Sequence, residues 1–227
     1  MIYLASRSPR RLQLLQQIGI DARLLLDEDE ARAEALEAVR VGESPTQYVE
    51  RVALAKAQAA RERLEALMQE APATSPVIYP PLPLLAADTT VAIGGTILGK
   101  PADEADAARI LRELSGRTHR VLTTVVVISA NGRKTLKRTQ VSRVQFARLK
   151  PEDIAWYVGT GEPMGKAGAY GIQGAAARFV RKIEGSYSGI MGLPLFETGE
   201  LLAKAGLKQP WRPSCRCMSK QTQIGHN

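Results

Sequence analysis

The chain has 227 residues, of which 44% are hydrophobic and 24% are charged, the proportions of a soluble globular protein. No apolar run approaches the roughly 20 residues of a membrane-spanning helix, and the N-terminus lacks the basic and apolar regions of a secretory signal. Both cysteines lie near the C-terminus, at positions 215 and 217, so no disulfide is expected in the rest of the chain. We therefore expect a cytoplasmic protein that does not enter a membrane.

The net charge of +8 is concentrated toward the C-terminus. Residues 208–227 contain four Lys or Arg residues and no acidic residue, and they show no apolar periodicity. This composition predicts a basic, disordered tail that follows one domain over residues 1–207. The body keeps a modest positive charge, which suits a small anionic substrate as well as it suits nucleic acid.

The first predicted elements are a strand over 2–5 and a helix over 9–18. Arg10 and Arg11 then lie at the positive end of the helix dipole, where cations are disfavoured. A bound anion would reverse that effect, and arginine binds phosphate oxygens through a two-pronged contact. Together with the Ser6 hydroxyl, these side chains predict a phosphate site, with a solvated basic helix start as the alternative.

The next segment combines a short strand over 22–26, an acidic run over 27–30 and a long helix over 46–70. One acid of the run could bind magnesium, which prefers carboxylate and water oxygens; a solvated loop is the alternative. Lys56 lies inside the long helix, either at a site or as an ordinary surface lysine. Residues 71–83 contain five prolines, which predicts a spacer or a surface loop.

An apolar stretch over 84–93 has the pattern of a buried strand, with Asp88 in its middle. An unpaired carboxylate in an apolar sheet costs much free energy, so Asp88 is expected to be paired, metal-bound or catalytic. Gly94-Gly95 predicts a hairpin to a strand over 96–98. Lys100 follows that hairpin, either solvated or facing the site.

The second half of the chain predicts further strands and helices without a strict alternation, which favours a mixed α/β sheet. Asp103 is a natural helix cap, and Asn131-Gly132 is a strong hairpin signal. The predicted elements are a helix between Asp103 and Gly116, strands over 121–129 and 135–149, a helix over 151–158, a strand over 178–183 and a helix over 194–205.

Residues 165–174 are too rich in glycine for regular secondary structure and predict a loop held close to a ligand. Gln173 in this loop has a side-chain amide that can read the edge of a base through one donor and one acceptor. Lys166 and Tyr170 lie in the same segment. An ordinary loop glutamine is the alternative interpretation.

Histidine-based catalysis is disfavoured, because the chain has two histidines, His119 and His226, and lacks the common hydrolase motifs. It also lacks a phosphate-binding P-loop and the dinucleotide-binding glycine pattern. Phosphate chemistry instead needs positioned cations, a metal and an activated water. The arginines, lysines and carboxylates described above provide that set.

Six short motifs occur in a fixed order between residue 1 and about residue 206. They are LASRSPRR at 4–11, ADT at 87–89, GKP at 99–101, LSGRTH at 114–119, KAGAYGIQG at 166–174 and GLPL at 192–195. Together they resemble the motifs of the Maf family of nucleoside triphosphate pyrophosphatases. The resemblance is greatest to the branch that hydrolyses dTTP and UTP.

This resemblance implies a mixed, twisted α/β sheet flanked by helices, with two lobes around a central cleft, similar to inosine triphosphate pyrophosphatases. It implies a homodimer and a divalent metal cofactor, Mg²⁺, with Mn²⁺ or Co²⁺ as alternatives. The substrate would be dTTP, UTP or a modified pyrimidine nucleoside triphosphate, hydrolysed to the monophosphate and pyrophosphate.

The resemblance also implies roles for single residues. Asp88 falls at the proton-acceptor position and, with Glu30, near the metal. Lys56 and Lys100 are expected to act with Asp88 as catalytic residues that neutralise phosphate charge. The expected substrate-binding residues are Ser6, Arg10, Arg11, Thr89, Lys166 and Gln173, of which Arg10, Thr89 and Gln173 fall at positions linked to substrate choice.

Two other functions remain open from the sequence. A non-catalytic regulator of cell division and septum formation, binding nucleotide or nucleic acid, would account for the basic tail but leaves Asp88 and Lys100 without a role. A nucleic-acid-binding protein needs exposed aromatic residues among the basic ones. Aromatic residues make up 5% of this chain, so nucleic acid is not the expected partner.

Overall fold

A computed structural model describes residues 1–26, 35–70 and 79–208. Within these ranges seven strands form one sheet, flanked by helices, and the predicted mixed α/β fold is confirmed. The strands are β1 (Ile2–Ala5), β2 (Ala22–Leu24), β3 (Leu84–Ile93), β4 (Thr96–Leu98), β5 (Thr118–Ile128), β6 (Thr135–Phe146) and β7 (Val180–Glu184). The helices are α1 (Pro9–Gln17), α2 (Pro45–Glu70), α3 (Glu104–Leu114), α4 (Pro151–Gly159), α5 (Tyr187–Met191) and α6 (Leu195–Lys204).

The strand order is β2-β1-β3-β5-β6-β7, and β4 pairs with β3 outside this path. β1 is parallel to both β2 and β3, whereas the other pairings are antiparallel. Two short 3-10 turns, Ala167–Ala169 and Ala175–Phe179, lie in and just after the predicted glycine-rich loop.

Several predicted boundaries differ from the structure. β2 ends at Leu24 instead of Leu26, because it pairs with three residues of the short strand β1. β6 ends at Phe146 instead of Leu149, since a bulge interrupts its pairing with β7 there. The sequence analysis missed α5, a single turn and a half that is capped by the Ser186 side chain and ends in a left-handed Gly192.

On one face of the sheet, apolar packing divides the helices into two groups, which form the two lobes, whereas α2 packs against both halves of β3 on the opposite face. In the first lobe, α1 and α6 cover one face of β1 and the first half of β3, and α2 covers the opposite face. In the second lobe, α3, α4 and the 3-10 turns pack against the second half of β3 and the adjoining ends of β5 and β6. β3 therefore passes through both lobes.

One edge of β3 is interrupted where the lobes meet. β1 pairs with residues 84–86 and β4 pairs with residues 91–93, so no described strand adjoins residues 87–90 on that edge. The other edge pairs with β5 without a break over 84–92. Since side chains alternate along a strand, Asp88 points to the face covered by α2 and Thr89 to the face covered by α1. The motif around Asp88 thus lies at an opening in the sheet.

The second lobe contains a buried histidine. The His119 side chain is 1% exposed, and its Nε2 lies 2.8 Å from the Tyr170 hydroxyl. Its ring meets Phe146 edge-on, at 5.0 Å between ring centroids. Nδ1 has no hydrogen-bond partner in the part of the chain that the structure describes. Burial lowers the pKa of His119 to about 4, so the imidazole is neutral at neutral pH.

Because folding keeps His119 neutral, acid should destabilise the protein through this residue. Below the ordinary pKa of 6.5 the unfolded chain binds a proton that the folded chain does not bind until about pH 4. The stabilising contribution of the neutral His119 side chain is therefore complete above pH 6.5 and is lost as the pH falls toward 4. From pH 7 to pH 5, wild type should lose roughly 2 kcal/mol more unfolding free energy than His119→Gln, measured by urea denaturation. Equal losses in the two proteins would contradict this account.

Candidate active site

A cleft of about 570 Å³ opens at the interrupted edge of β3. Its walls come from the β1–α1 connection, α2, β3, the turn after β4, residues 164–173 and residues 190–192. Glu30 lies outside the described residues. The other predicted site residues all line this one cleft: Ser6, Arg10, Arg11, Lys56, Asp88, Thr89, Lys100, Lys166 and Gln173.

Asp88 is paired, as the sequence predicts for a carboxylate in an apolar strand. Its side chain is 9% exposed, and Oδ1 accepts a hydrogen bond of 2.7 Å from Lys56 Nζ. The same ammonium donates to Glu37 Oε1 at 2.7 Å, and Lys100 Nζ donates to Glu37 Oε2 at 2.7 Å. Two carboxylates and two lysines therefore alternate in one chain of ion pairs across the cleft.

Glu37 is a site residue that the sequence analysis missed. Burial raises its pKa, but the charges and hydrogen bonds of Lys56 and Lys100 outweigh burial, so the net pKa lies below its ordinary value. Glu37 is consequently ionised at neutral pH. It precedes Lys56 by 19 positions, and no local pattern distinguishes it from the other acidic residues before α2.

The Arg11 side chain connects three segments that line the cleft. Its Nε donates to the Gly192 carbonyl at 2.8 Å, Nη1 to Ser6 Oγ at 2.9 Å and Nη2 to Thr89 Oγ1 at 3.2 Å. The side chain is buried, and that burial lowers its pKa although Asp88 opposes the change. Because three of its N–H groups bind the protein, Arg11 shapes the site as well as adding positive charge.

The hydroxyl of Thr89 has a fixed polarity. Thr123 Oγ1 donates its one hydrogen to the Gly189 carbonyl at 2.7 Å, since a carbonyl can only accept. The contact of 3.0 Å between Thr89 and Thr123 therefore has Thr89 as the donor. Thr89 also accepts from Arg11, so only a lone pair remains for a ligand. Toward the cleft, Thr89 can accept a hydrogen bond but cannot donate one.

A further lysine, Lys166, lies on the wall formed by residues 164–173. Lys166 Nζ donates to the Glu162 carbonyl. Burial lowers the pKa of Lys166, and the nearby charge of Arg10 lowers it further. Gln173 belongs to the same wall, is exposed and lines the cleft. Lys166 and the side-chain amide of Gln173 thus lie on one wall of the cleft.

The acidic residues fit a magnesium-type ion. In the described ranges, no group of three or more His, Cys, Asp or Glu residues could hold a metal. Asp88 and Glu37, however, both lie 2.7 Å from the same ammonium. Mg²⁺ is commonly bound through one or two carboxylates, with water and substrate phosphates completing the shell. The donor set matches that arrangement and does not match a closed zinc site.

Residues 1–205 match a protein family described as Maf-like protein. The chain belongs to the Maf family. A protein from Ralstonia nicotianae named dTTP/UTP pyrophosphatase is 57% identical over 206 residues, which cover 91% of this chain and 94% of that one. A protein of the same name from Cupriavidus pinatubonensis is 54% identical over 91% of this chain and 98% of its own length. The family resemblance predicted from the six motifs is confirmed.

Among solved structures, a nucleoside-triphosphatase, or dITP/XTP pyrophosphatase, from Mycobacterium abscessus is 19% identical and has a TM-score of 0.41. The similarity covers 65% of this Maf-family chain and 75% of the other. The family assignment rests on the sequence match over residues 1–205 and not on this structural similarity.

The ion-pair chain predicts unequal roles for its two lysines in stability. Lys56→Met would remove the ion-pair partner of Asp88 and leave Glu37 with Lys100, and we expect a loss of about 1–3 kcal/mol in unfolding free energy. Lys100→Met is the matched control, since that side chain is 53% exposed and, among the described residues, pairs only with Glu37, and it should cost less than about 1 kcal/mol. Chemical denaturation of both variants measures the difference.

A double substitution separates this pairing from simple loss of packing. Adding Asp88→Asn to Lys56→Met removes the unpaired negative charge of Asp88. The double variant should therefore be more stable than the sum of the two single losses in unfolding free energy predicts. Additive losses would show that the ion pair of Lys56 and Asp88 does not contribute to folding.

Proposed function

We propose that this protein is a nucleoside triphosphate pyrophosphatase that hydrolyses dTTP and UTP, and modified pyrimidine triphosphates, to the monophosphate and pyrophosphate. The observation that carries the proposal is the convergence of a buried carboxylate, three lysines, two arginines and the side-chain amide of Gln173 on one cleft. The names of the relatives at 54–57% identity support the same reaction and substrates. The cleft volume of about 570 Å³ is within the usual range for a small-molecule site.

In the proposed reaction, water attacks the α-phosphorus of the nucleotide. A bond forms between the water oxygen and phosphorus, and the bond from phosphorus to the bridging oxygen breaks. Pyrophosphate leaves with the electron pair of that bond, and Asp88 accepts the proton of the water. Lys56, Lys100 and Arg10 lie along the cleft, where their charges stabilise the charge that develops on the phosphate oxygens.

Asp88 and Glu37 are the residues that would hold a divalent cation, Mg²⁺ or alternatively Mn²⁺ or Co²⁺. When bound, such a cation supplies positive charge to the phosphate oxygens. Lys56 Nζ lies 2.7 Å from both carboxylates and holds them close together. Glu30 stays a predicted metal-binding residue, because it lies outside the described residues.

Substrate choice is proposed to depend on Gln173 and Thr89. The Gln173 amide offers one donor and one acceptor, which match the donor and acceptor that uracil and thymine share on one edge. Cytosine reverses part of that edge and would leave polar groups unpaired. Thr89 offers an acceptor only, so it suits an N–H or O–H group of the ligand better than a phosphate oxygen.

The wider organisation stays a proposal. We propose one catalytic domain over residues 1–207, followed by a basic tail over 208–227, of which residues 209–227 lie outside the described ranges. A homodimer is proposed from the family resemblance, a cytoplasmic location from the positions of the two cysteines, and the lack of a nucleic-acid partner from the 5% content of aromatic residues. None of the described helices is both long and apolar enough to span a bilayer.

The central test is a panel of UTP, dTTP, CTP, ATP and GTP, assayed for pyrophosphate release with and without a divalent cation. UTP and dTTP should be hydrolysed fastest, and each should require the cation. Asp88→Asn should lower kcat by at least about 10²-fold while the protein stays folded, because it removes the proton acceptor. Asp21→Asn, at an exposed position, is the matched control and should behave as wild type.

Three results would count against this proposal. Release of inorganic phosphate in place of pyrophosphate would place cleavage at another bond. Hydrolysis of ATP or GTP as fast as UTP would remove the pyrimidine assignment and leave the pyrophosphatase chemistry. Near-normal turnover in folded Asp88→Asn would exclude Asp88 from the reaction.

Gln173→Ala should narrow the preference for UTP over CTP. A polar edge left unpaired costs about 1–3 kcal/mol, so the ratio of kcat/KM values should fall by roughly 10- to 100-fold. The requirement for a divalent cation should not change, because the ion is proposed to bind the carboxylates of Asp88 and Glu37 and not the Gln173 side chain. Gln69→Ala, exposed at the end of α2, is the control. An unchanged ratio in Gln173→Ala would show that another residue reads the base.

A further inference from the structure

Beneath the glycine-rich loop, Tyr157 and Glu162 form a hydrogen-bonded pair outside the cleft. The Tyr157 hydroxyl donates to Glu162 Oε1 at 2.9 Å, and the Tyr157 side chain is fully buried. Neither residue lines the cleft, so neither can touch a bound nucleotide in this arrangement. Burial, with the bond to Glu162, raises the pKa of Tyr157, which keeps its hydroxyl protonated as a donor.

The pair binds the backbone on both sides of Gln173. The Gly171 amide donates to the Tyr157 hydroxyl at 3.2 Å, two residues before Gln173. The Ala175 amide donates to Glu162 Oε2 at 2.9 Å, two residues after it. Because both anchor points are backbone amides, they fix the path of the chain that presents the Gln173 side chain.

Two glycines of this loop lie against the Glu162 carboxylate. A Cβ on Gly174 would lie 2.1 Å from Glu162 Oε1, and a Cβ on Gly171 would lie 3.3 Å from the same oxygen. Only a residue without a side chain lets the loop approach the carboxylate so closely at Gly174. The Glu162 carbonyl also accepts from Lys166, so Glu162 contacts the loop at its beginning and at its end.

We propose that Glu162, through its pair with Tyr157, is a positioning residue for base selection, which holds the Gln173 amide in the orientation that distinguishes uracil from cytosine. This inference rests on the proposed role of Gln173 as the base-reading residue. A carboxylate is required because both of its oxygens accept hydrogen bonds here. A glutamine could accept on one oxygen alone and would present an N–H group to one of the two donors.

The experiment compares kcat and KM for UTP and CTP in Glu162→Ala, Glu162→Gln and Tyr157→Phe. Glu162→Ala should lower the UTP/CTP ratio of kcat/KM roughly 10-fold, mainly through a higher KM for UTP. Glu162→Gln should fall between Glu162→Ala and wild type, since it keeps one acceptor. Glu200→Gln, an exposed charge change on α6, should leave the ratio unchanged.

A double variant tests whether Glu162 acts through Gln173. Adding Glu162→Ala to Gln173→Ala should not lower the ratio below that of Gln173→Ala alone. A role in general stability would instead lower UTP and CTP hydrolysis equally and add to the effect of Gln173→Ala. Should Glu162→Ala fail to fold, Gly174→Ala tests the same contact with Glu162 in place, because its methyl group would displace the carboxylate.

A wild-type UTP/CTP ratio in folded Glu162→Ala, or equal losses for both nucleotides, would overturn this inference. If Gln173→Ala narrows the ratio and Glu162→Ala does not, the positioning role fails and the base-reading role of Gln173 stands. If Gln173→Ala leaves the ratio unchanged, the base-reading role itself fails and this inference fails with it.

Discussion

A carboxylate in the middle of a buried strand requires a positive charge beside it, and the first lobe of this protein is arranged around that requirement. Lys56 provides the charge for Asp88, and it can do so only because α2 packs across the face of β3 to which Asp88 points. The same lysine binds Glu37, and Glu37 binds Lys100. The same ion pairs therefore link α2, the segment before it, β3 and the turn after β4.

The interruption in the sheet explains why these charges are also accessible. β1 and β4 each pair with part of one edge of β3, and the residues between them include the ADT motif. Alternation along the strand then sends neighbouring side chains to different partners: Asp88 to the ion pairs, and Thr89 to Arg11 and Thr123. A single strand thus contributes two kinds of groups to one cleft.

Features that depend on local pattern could be predicted from the sequence, whereas contacts between distant segments could not. The buried strand around Asp88, the hairpins at Gly94-Gly95 and Asn131-Gly132, and the long helix with Lys56 follow from periodicity and turn chemistry. Glu37 was missed because its partners lie 19 and 63 positions away. Glu162 was missed because its carboxylate binds the Ala175 backbone amide, 13 positions away, and backbone contacts leave no trace in the pattern of side chains.

The unbroken pairing of β3 with β5 limits how the cleft can change shape. This ladder extends over residues 84–92 and passes through both lobes. Movement of one lobe relative to the other would therefore bend β3 and β5 together, with their register kept, instead of turning about a single flexible connection.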